Sequence, residues 1–315
     1  MLVALCGGVG AARMLAGLVR VVPAEDITAI VNVGDDMELH GLAISPDLDT
    51  VTYTLAGLDN RETGWGVTGE TWAVMDELGR LGGEDWFRLG DRDLATHLFR
   101  TGRLRDGAAL SEVTAELAQR RGIAVRLLPV TDDALRTRVA LAEASALGPA
   151  GTEVSFQDYF VRLQHQVAVR GVRFEGAERA RPAPGVMAAL QEATTIVVCP
   201  SNPVVSIGPV LAVPGVRETL VARRDQVVAV SPIVAGAALK GPADRLMAEL
   251  GAEPSVVGVA RLYAPWVGTL VVDVADADHA PAIEAEGVRC IVTHTVMSTP
   301  ERAEGLARAV VHAAG

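Results

Sequence analysis

Ile27-Thr28-Ala29-Ile30-Val31-Asn32-Val33-Gly34-Asp35-Asp36 runs from an unbroken apolar segment straight into two adjacent acids. His40-Gly41 follows, and Pro46-Asp47-Leu48-Asp49-Thr50 then adds another acidic pair. The apolar part, Ile27 to Val33, does not alternate, so it reads as a strand buried on both faces, as in a parallel sheet. Acids gathered at the end of such a strand lie where an α/β fold places its chemistry. A single acid there would suit a ribose hydroxyl. Two pairs suit Mg²⁺, which takes oxygen ligands and leaves room for water and phosphate. Asp47 has a structural reading as well, since Pro46-Asp47-Leu48-Asp49-Thr50 opens a helix running to Leu55 and acids stabilise a helix N-terminus.

Upstream, Leu2 to Cys6 is a short apolar run, followed by Gly7-Gly8-Val9-Gly10 and a helical pattern from Ala11 to Val21. Strand, glycine turn and helix together make a phosphate site, because glycines admit close backbone approach and a helix start presents free N–H groups. A tight turn without a ligand has the same sequence. The dinucleotide fingerprint is incomplete, since Arg13 stands where glycine or alanine is needed, and no GK[ST] of a Walker loop follows. Arg13 is either a phosphate contact or a solvated surface arginine.

The rest of the chain fits a Rossmann-like, doubly wound, mostly parallel sheet with an inserted helical cap. Residues 1–58 and 182–315 form the core in this reading, and 59–181 the inserted cap. The insertion carries helices at Glu70 onward, Leu94 to Arg100 and Ser111 to Arg121, then strands at Val125 to Val130 and Arg138 to Ala142 in a hairpin-like excursion. Trp65, Trp72 and Trp86 lie within it, placed either to stack on a flat heterocycle or to pack a core. After Arg181-Pro182-Ala183-Pro184-Gly185, strands are expected at Thr195 to Cys199, Asp225 to Val230, Thr269 to Val274 and Val288 to Val292. Their end loops carry Ser201, Asn202, Ser206, Ser231 and Lys240, suited to a phosphate or ribose. The last helix shows a Ser298-x-x-Glu301 capping box with Pro300 in its first turn.

The chain has 315 residues, half of them hydrophobic, and a net charge of −11. That charge argues against a broad nucleic-acid surface, which needs a positive face, but leaves room for small phosphorylated ligands in a local pocket. Lys240 is the sole lysine among mostly arginine cations, a bias that genome composition explains. Cys6, Cys199 and Cys290 have no CxxC spacing and read as buried thiols in a reducing compartment. No apolar run is long enough for a membrane span and no signal segment is evident. A cytoplasmic protein without membrane or nucleic-acid partners is expected.

Eight segments, taken in order, resemble the 2-phospho-L-lactate transferase family of coenzyme F420 biosynthesis, including its phosphoenolpyruvyl-transferring members. They are Gly7 to Ala11, Asn32 to Asp36, Pro46 to Thr50, Trp65-Gly66, Glu70-Thr71-Trp72, Gly90 to His97, Ser201 to Pro209 and Ser231 to Val234. The resemblance implies transfer of a phospho-lactyl or phospho-enolpyruvyl group from a guanosine-diphosphate-linked donor to the ribityl hydroxyl of the deazaflavin Fo, with GMP released. It implies Mg²⁺ on Asp35 and Asp49, with Asp36 the nearest spare carboxylate for a base. It places Gly8, Gly10, Arg13, Ser201, Asn202, Ser206, Ser231 and Lys240 on the donor. It moves Asp91, Arg92, Asp93 and His97 from surface ion pairs to the deazaflavin pocket, beside Trp65, Glu70 and Trp72. It also implies a homodimer. Ala237 and His294 depart from the family pattern, which often has a basic residue and an aspartate there. Two other readings are a nucleotide-sugar-binding regulatory protein without turnover and an NAD(P) enzyme, the latter disfavoured by Arg13 and the acid pairs.

Overall fold

The computed structural model describes residues 1–60 and 64–313. Residues 61–63, within the expected insertion, and 314–315 lie outside the described part.

Seven strands form one sheet: β1 (Leu2–Cys6), β2 (Ile27–Val31), β3 (Arg126–Pro129), β4 (Thr195–Val198), β5 (Val227–Val230), β6 (Thr269–Asp273) and β7 (Arg289–Thr293). Every neighbouring pair is parallel. The spatial order is β7-β6-β5-β4-β1-β2-β3. The order in which strands are added therefore reverses between β1 and β4, the point where doubly wound folds open a crevice for ligands. The register aligns the strand ends there: Cys6 lies beside Val31, and Leu5 beside Val198. All residues of β1, β2, β5 and β6 are buried, which is why their sequences run apolar without alternation.

One face is covered by α1 (Gly8–Leu18), which packs against α2 (Pro46–Leu55) and the C-terminal helix Pro300–Ala313. A Cβ on Gly17 would lie 2.4 Å from the Ala303 carbonyl oxygen, so glycine is what lets the two helices approach. Beyond the sheet lie α3 (Ala73–Arg80), α4 (Asp91–Arg105) and α5 (Leu110–Arg120). A small antiparallel sheet of Arg136–Leu141, Glu153–Ser155 and Val169–Glu175 packs nearby. Residues in Arg136–Leu141 alternate half-buried and buried, as a sheet with one covered face requires.

Three local expectations are corrected. The segment near Val125 to Val130 is not part of a hairpin: β3 is the edge strand of the main sheet, with Leu127 beside Ala29. Its apolar residues find a partner nearly a hundred positions away, which local pattern cannot show. Helix α4 begins at Asp91 rather than Leu94, so Asp91-Arg92-Asp93 is its first turn. The last helix is capped by Thr299, whose hydroxyl accepts from the Arg302 N–H, rather than by Ser298.

Candidate active site

The glycine turn sits at the reversal point. Gly7 donates its N–H to Ser201 Oγ at 3.3 Å, and that hydroxyl donates to the Gly7 carbonyl at 2.8 Å. Gly8 has φ +72°, open to glycine at little cost. A Cβ on Gly10 would lie 2.2 Å from the Pro200 carbonyl oxygen. These glycines thus let the loops after β1 and β4 close on each other. The Asn202 side chain caps the following turn by accepting from Val204 and Val205 at 2.9 and 3.3 Å. Ser231 Oγ is folded back on Ile233, accepting from its N–H and donating to its carbonyl. Ser201, Asn202 and Ser231 therefore shape their loops.

The acids divide into two groups. Asn32, at the end of β2, donates to Asp47 Oδ2 at 2.9 Å and accepts from the Gly34 N–H at 2.8 Å, which fixes the turn carrying Asp35 and Asp36. Asp36 accepts from Ser45 Oγ at 2.8 Å. One oxygen each of Asp35 and Asp36 is buried without a hydrogen-bond partner. Burial first, then the charges of Asp47 and Asp36, raises the Asp35 carboxyl well above its ordinary value. Burial pushes Asp36 up to about 7, moderated most by the Arg136 charge and the Ser45 hydrogen bond. Asp47 is pushed to about 6 by burial, against hydrogen bonds from Asn32 and the Gly8 backbone. Three buried acids with so little compensation could take a cation beside them.

The second group lies one layer out. Asp49, in the first turn of α2, is held by the Arg100 guanidinium through both oxygens. Arg100 Nη1 also donates to His97 Nδ1 at 3.2 Å. Because arginine only donates, the ring proton belongs on Nε2, which faces Asp93 Oδ2 at 3.3 Å. Tyr53 donates to Asp93. Burial raises the Asp93 carboxyl, but His97, Tyr53 and Arg100 outweigh it and hold the group low. Asp49, Asp93 and His97 bring ligand atoms within 4.8 Å of one another, a buried cluster that could hold a divalent metal. Asp49 is common to this cluster and to the pair read from the sequence.

A cavity of about 750 Å³ opens over these loops. It gathers Gly8, Gly10, Arg13, Asp35, Asp49, Trp65, Asp93, His97, Ser201, Asn202, Ser206, Ser231 and Lys240. Partial burial, then the charge of Arg13, lowers the Lys240 ammonium. Trp65 meets Trp72 edge to face, with ring centroids 5.7 Å apart. Trp72, Glu70, Asp91 and Arg92 stand outside the cavity wall and tie the loop before α3 to α4. Glu70 accepts from Val67, Asp91 from the first N–H groups of α3, and Arg92 donates to the Thr68 carbonyl. Asp36 faces a second, smaller cavity of about 380 Å³. Residues not singled out from the sequence also line the main cavity: Tyr53, Phe156, Gln157, Phe160 and Thr295. Arg100 had a readable signal, since Asp93, His97 and Arg100 follow the i, i+4 and i+3 spacing of one helix face. Phe156 and Gln157 had none, because they arrive on a distant turn.

The chain matches the family described as 2-phospho-L-lactate transferase CofD over residues 2–301. The chain belongs to this family, which is used in coenzyme F420 biosynthesis. As a member of the CofD family it is a transferase of the phospho-lactyl or phospho-enolpyruvyl type. It is 45% identical over 311 residues to a phosphoenolpyruvate transferase of Kitasatospora aureofaciens, covering 98% of this chain and 95% of that one. A 2-phospho-L-lactate transferase of Methanosarcina mazei is 37% identical, with 98% of each chain covered. The crystal structure of a UPF0052 family protein from Bacillus halodurans superposes with a TM-score of 0.61 at 18% identity over 98% of both chains, a likeness of fold. Among the described residues, no single helix is long and apolar enough to cross a membrane.

Proposed function

We propose that this CofD-family chain transfers a phospho-enolpyruvyl group from a guanosine-diphosphate-linked donor to the ribityl hydroxyl of the deazaflavin Fo. The observation that carries this reading is the single main cavity, in which the glycine turn, the uncompensated acids, Lys240 and Trp65 meet at the sheet's reversal point. The enolpyruvyl form is preferred to the lactyl one because the more similar relative bears that name. A nucleotide-sugar-binding protein without turnover would not need three buried acids beside a phosphate turn.

Asp35 and Asp49 are the proposed holders of Mg²⁺. Asp35 fits through its unpaired buried oxygen, and both supply the hard oxygens the ion prefers. The ion, when bound, neutralises phosphate charge as it develops in the displacement. The chain's own residues do the positioning. Gly8, Gly10 and the loop of Ser201, Asn202 and Ser206 cradle the diphosphate, with Arg13, Ser231 and Lys240 completing the donor's surroundings. Trp65 with Asp93 and His97 bounds the deazaflavin side, supported from outside the wall by Trp72, Glu70, Asp91 and Arg92. The ribityl oxygen forms a bond to the distal phosphorus. The bond from that phosphorus to the oxygen bridging it to GMP breaks, and GMP leaves with the electron pair. The hydroxyl proton passes to a carboxylate; Asp36, the nearest spare one by sequence, faces the smaller cavity rather than the main one and is not given that part. Orientation and electrostatics supply most of the rate. The protein is proposed to act in the cytoplasm as a homodimer.

Mass spectrometry of a reaction with Fo, donor and Mg²⁺ should show the phosphodiester and GMP. Asp35→Asn should lower turnover by orders of magnitude while leaving the melting temperature near wild type or above it. No phosphodiester from the wild type would overturn the reading, and full turnover by Asp35→Asn would remove the metal role.

A further inference from the structure

The smaller cavity lies behind the Asp35–Asp36 turn and shares Asp35, Trp86, Phe156 and Gln157 with the main one. Its wall gathers buried polar atoms that lack hydrogen-bond partners: Asp35 Oδ1, Asp36 Oδ1, Thr137 Oγ1 and Trp86 Nε1. Buried polar groups are nearly always paired; the two carboxylate oxygens can only accept, so the atoms able to donate to a guest are Trp86 Nε1 and Thr137 Oγ1, the latter set against the Asp35 carboxylate. Three arginines reach this cavity, and two are already spoken for. Arg138 pairs with Glu175 at 2.7 Å, while Arg162 approaches Asp158 at 3.7 Å and covers the Trp86 ring. Arg136 makes no close ion pair among the described residues: its charge acts on Asp36 from a distance, and its side-chain hydrogen bond goes to the Leu135 carbonyl beside it.

We propose that this chamber receives the carboxylate of the transferred group, with the Arg136 guanidinium as its ion partner and Thr137 Oγ1 and Trp86 Nε1 as neutral donors. The inference rests on the transfer reaction proposed above and adds the means of choosing the group transferred. A phosphorus atom held at Asp35 carries its three-carbon acid only a few bonds away, and Asp35 lines both cavities. A guanidinium is the residue type that meets a carboxylate with two parallel hydrogen bonds. The acids in the wall argue against a free anion wandering in. They do not argue against one delivered on a phosphate whose charge is already countered. Arg136 is thus a specificity residue, selecting a donor with a carboxylate over one without.

The test compares the native donor with its carboxylate methyl ester, in wild type, Arg136→Gln and Arg136→Lys. Thermal melting and GDP binding establish that each variant is folded with its nucleotide side intact. Wild type should prefer the acid over the ester by roughly ten- to a hundredfold in kcat/KM, the worth of a charge-assisted pair. Arg136→Gln should raise the donor KM by a similar factor, leave the Fo KM unchanged and treat acid and ester alike. Arg136→Lys should fall between. A folded variant that still discriminates as sharply as wild type overturns the assignment. Absence of product from wild type with the native donor is a different failure, because it overturns the transfer reaction itself.

Discussion

At the scale of single residues, the site is governed by which buried charges have partners. Asp49 and Arg100 have each other, and both are nearly inaccessible. Removing one member of such a pair leaves the other uncompensated, which costs about 3–5 kcal/mol. Arg100→Met should therefore lower unfolding free energy by that order in chemical denaturation, and a loss under 1 kcal/mol would show the pair to be dispensable. Asp273 illustrates the opposite handling of a carboxylate. Burial acts to raise it, but the Thr295 N–H at 2.7 Å, the Ala275 N–H at 3.1 Å and the Thr295 hydroxyl at 3.2 Å together hold it below its ordinary value. A carboxyl lowered by folding adds stability above its unfolded value, near 3.9, and the gain is lost as pH falls through the folded value. Wild type should exceed Asp273→Asn by about 1.5–3 kcal/mol at pH 7. The gap should close below roughly pH 4, and a gap independent of pH would mean the carboxylate charge is irrelevant.

At the scale of elements, the chain is well marked where neighbours in sequence are neighbours in space. β1 followed by its glycine turn and α1, and β2 followed by Asp35 and Asp36, are legible because strand, turn and helix start are contiguous. Gly10 shows how close the packing is. Gly10→Ala must push against the Pro200 carbonyl, and Gly17→Ala against that of Ala303. Both should lose about 1–3 kcal/mol as overpacked sites. Only the Gly10 variant should also raise the donor KM, since Gly17 lies at the far end of α1; equal KM changes in both would remove the glycine turn from the donor site. What could not be read was long-range assignment. β3 looks like any short apolar run until β2 is beside it. The helix face that Arg100 shares with Asp93 and His97 was readable from spacing, but its pairing with Asp49 was not. Asp91 and Glu70, by contrast, are polar residues whose hydrogen bonds tie the loop before α3 and the start of α3 to the first turn of α4.

At the scale of the whole molecule, a net charge of −11 surrounds a cavity where Arg13 and Lys240 face the glycine turn. The global sign would repel a nucleotide, so binding must come from the local arrangement and should weaken with salt. A ligand that binds only the folded state stabilises it by mass action, about 2.7 kcal/mol at a hundred times its Kd. Saturating GDP should raise the melting temperature by roughly 4 °C or more. NAD at equal concentration should leave it unmoved, and the reverse pattern would reopen the dinucleotide reading. The architecture was legible at this scale because six apolar runs, followed by small or acidic residues, leave little choice but a parallel sheet; the seventh strand, β3, was expected in a hairpin instead. The second cavity was not legible, since its wall is drawn from four separate stretches of chain.

The place of β1 in that sheet also sets an order of assembly. Leu2 pairs with Ile27 on one side and with Thr195 on the other. As the chain leaves the ribosome, β1 is made early yet lies inside the sheet, and one of its edges stays open until β4 has been made. Parallel pairing over so long a separation is slow to form, and an unpaired apolar edge invites the wrong partner meanwhile. The last strands, β5 to β7, can add only after β4 has arrived. A protein arranged in this way should depend on chaperones during synthesis more than its finished stability suggests, and N-terminal fragments ending before Thr195 should aggregate rather than fold.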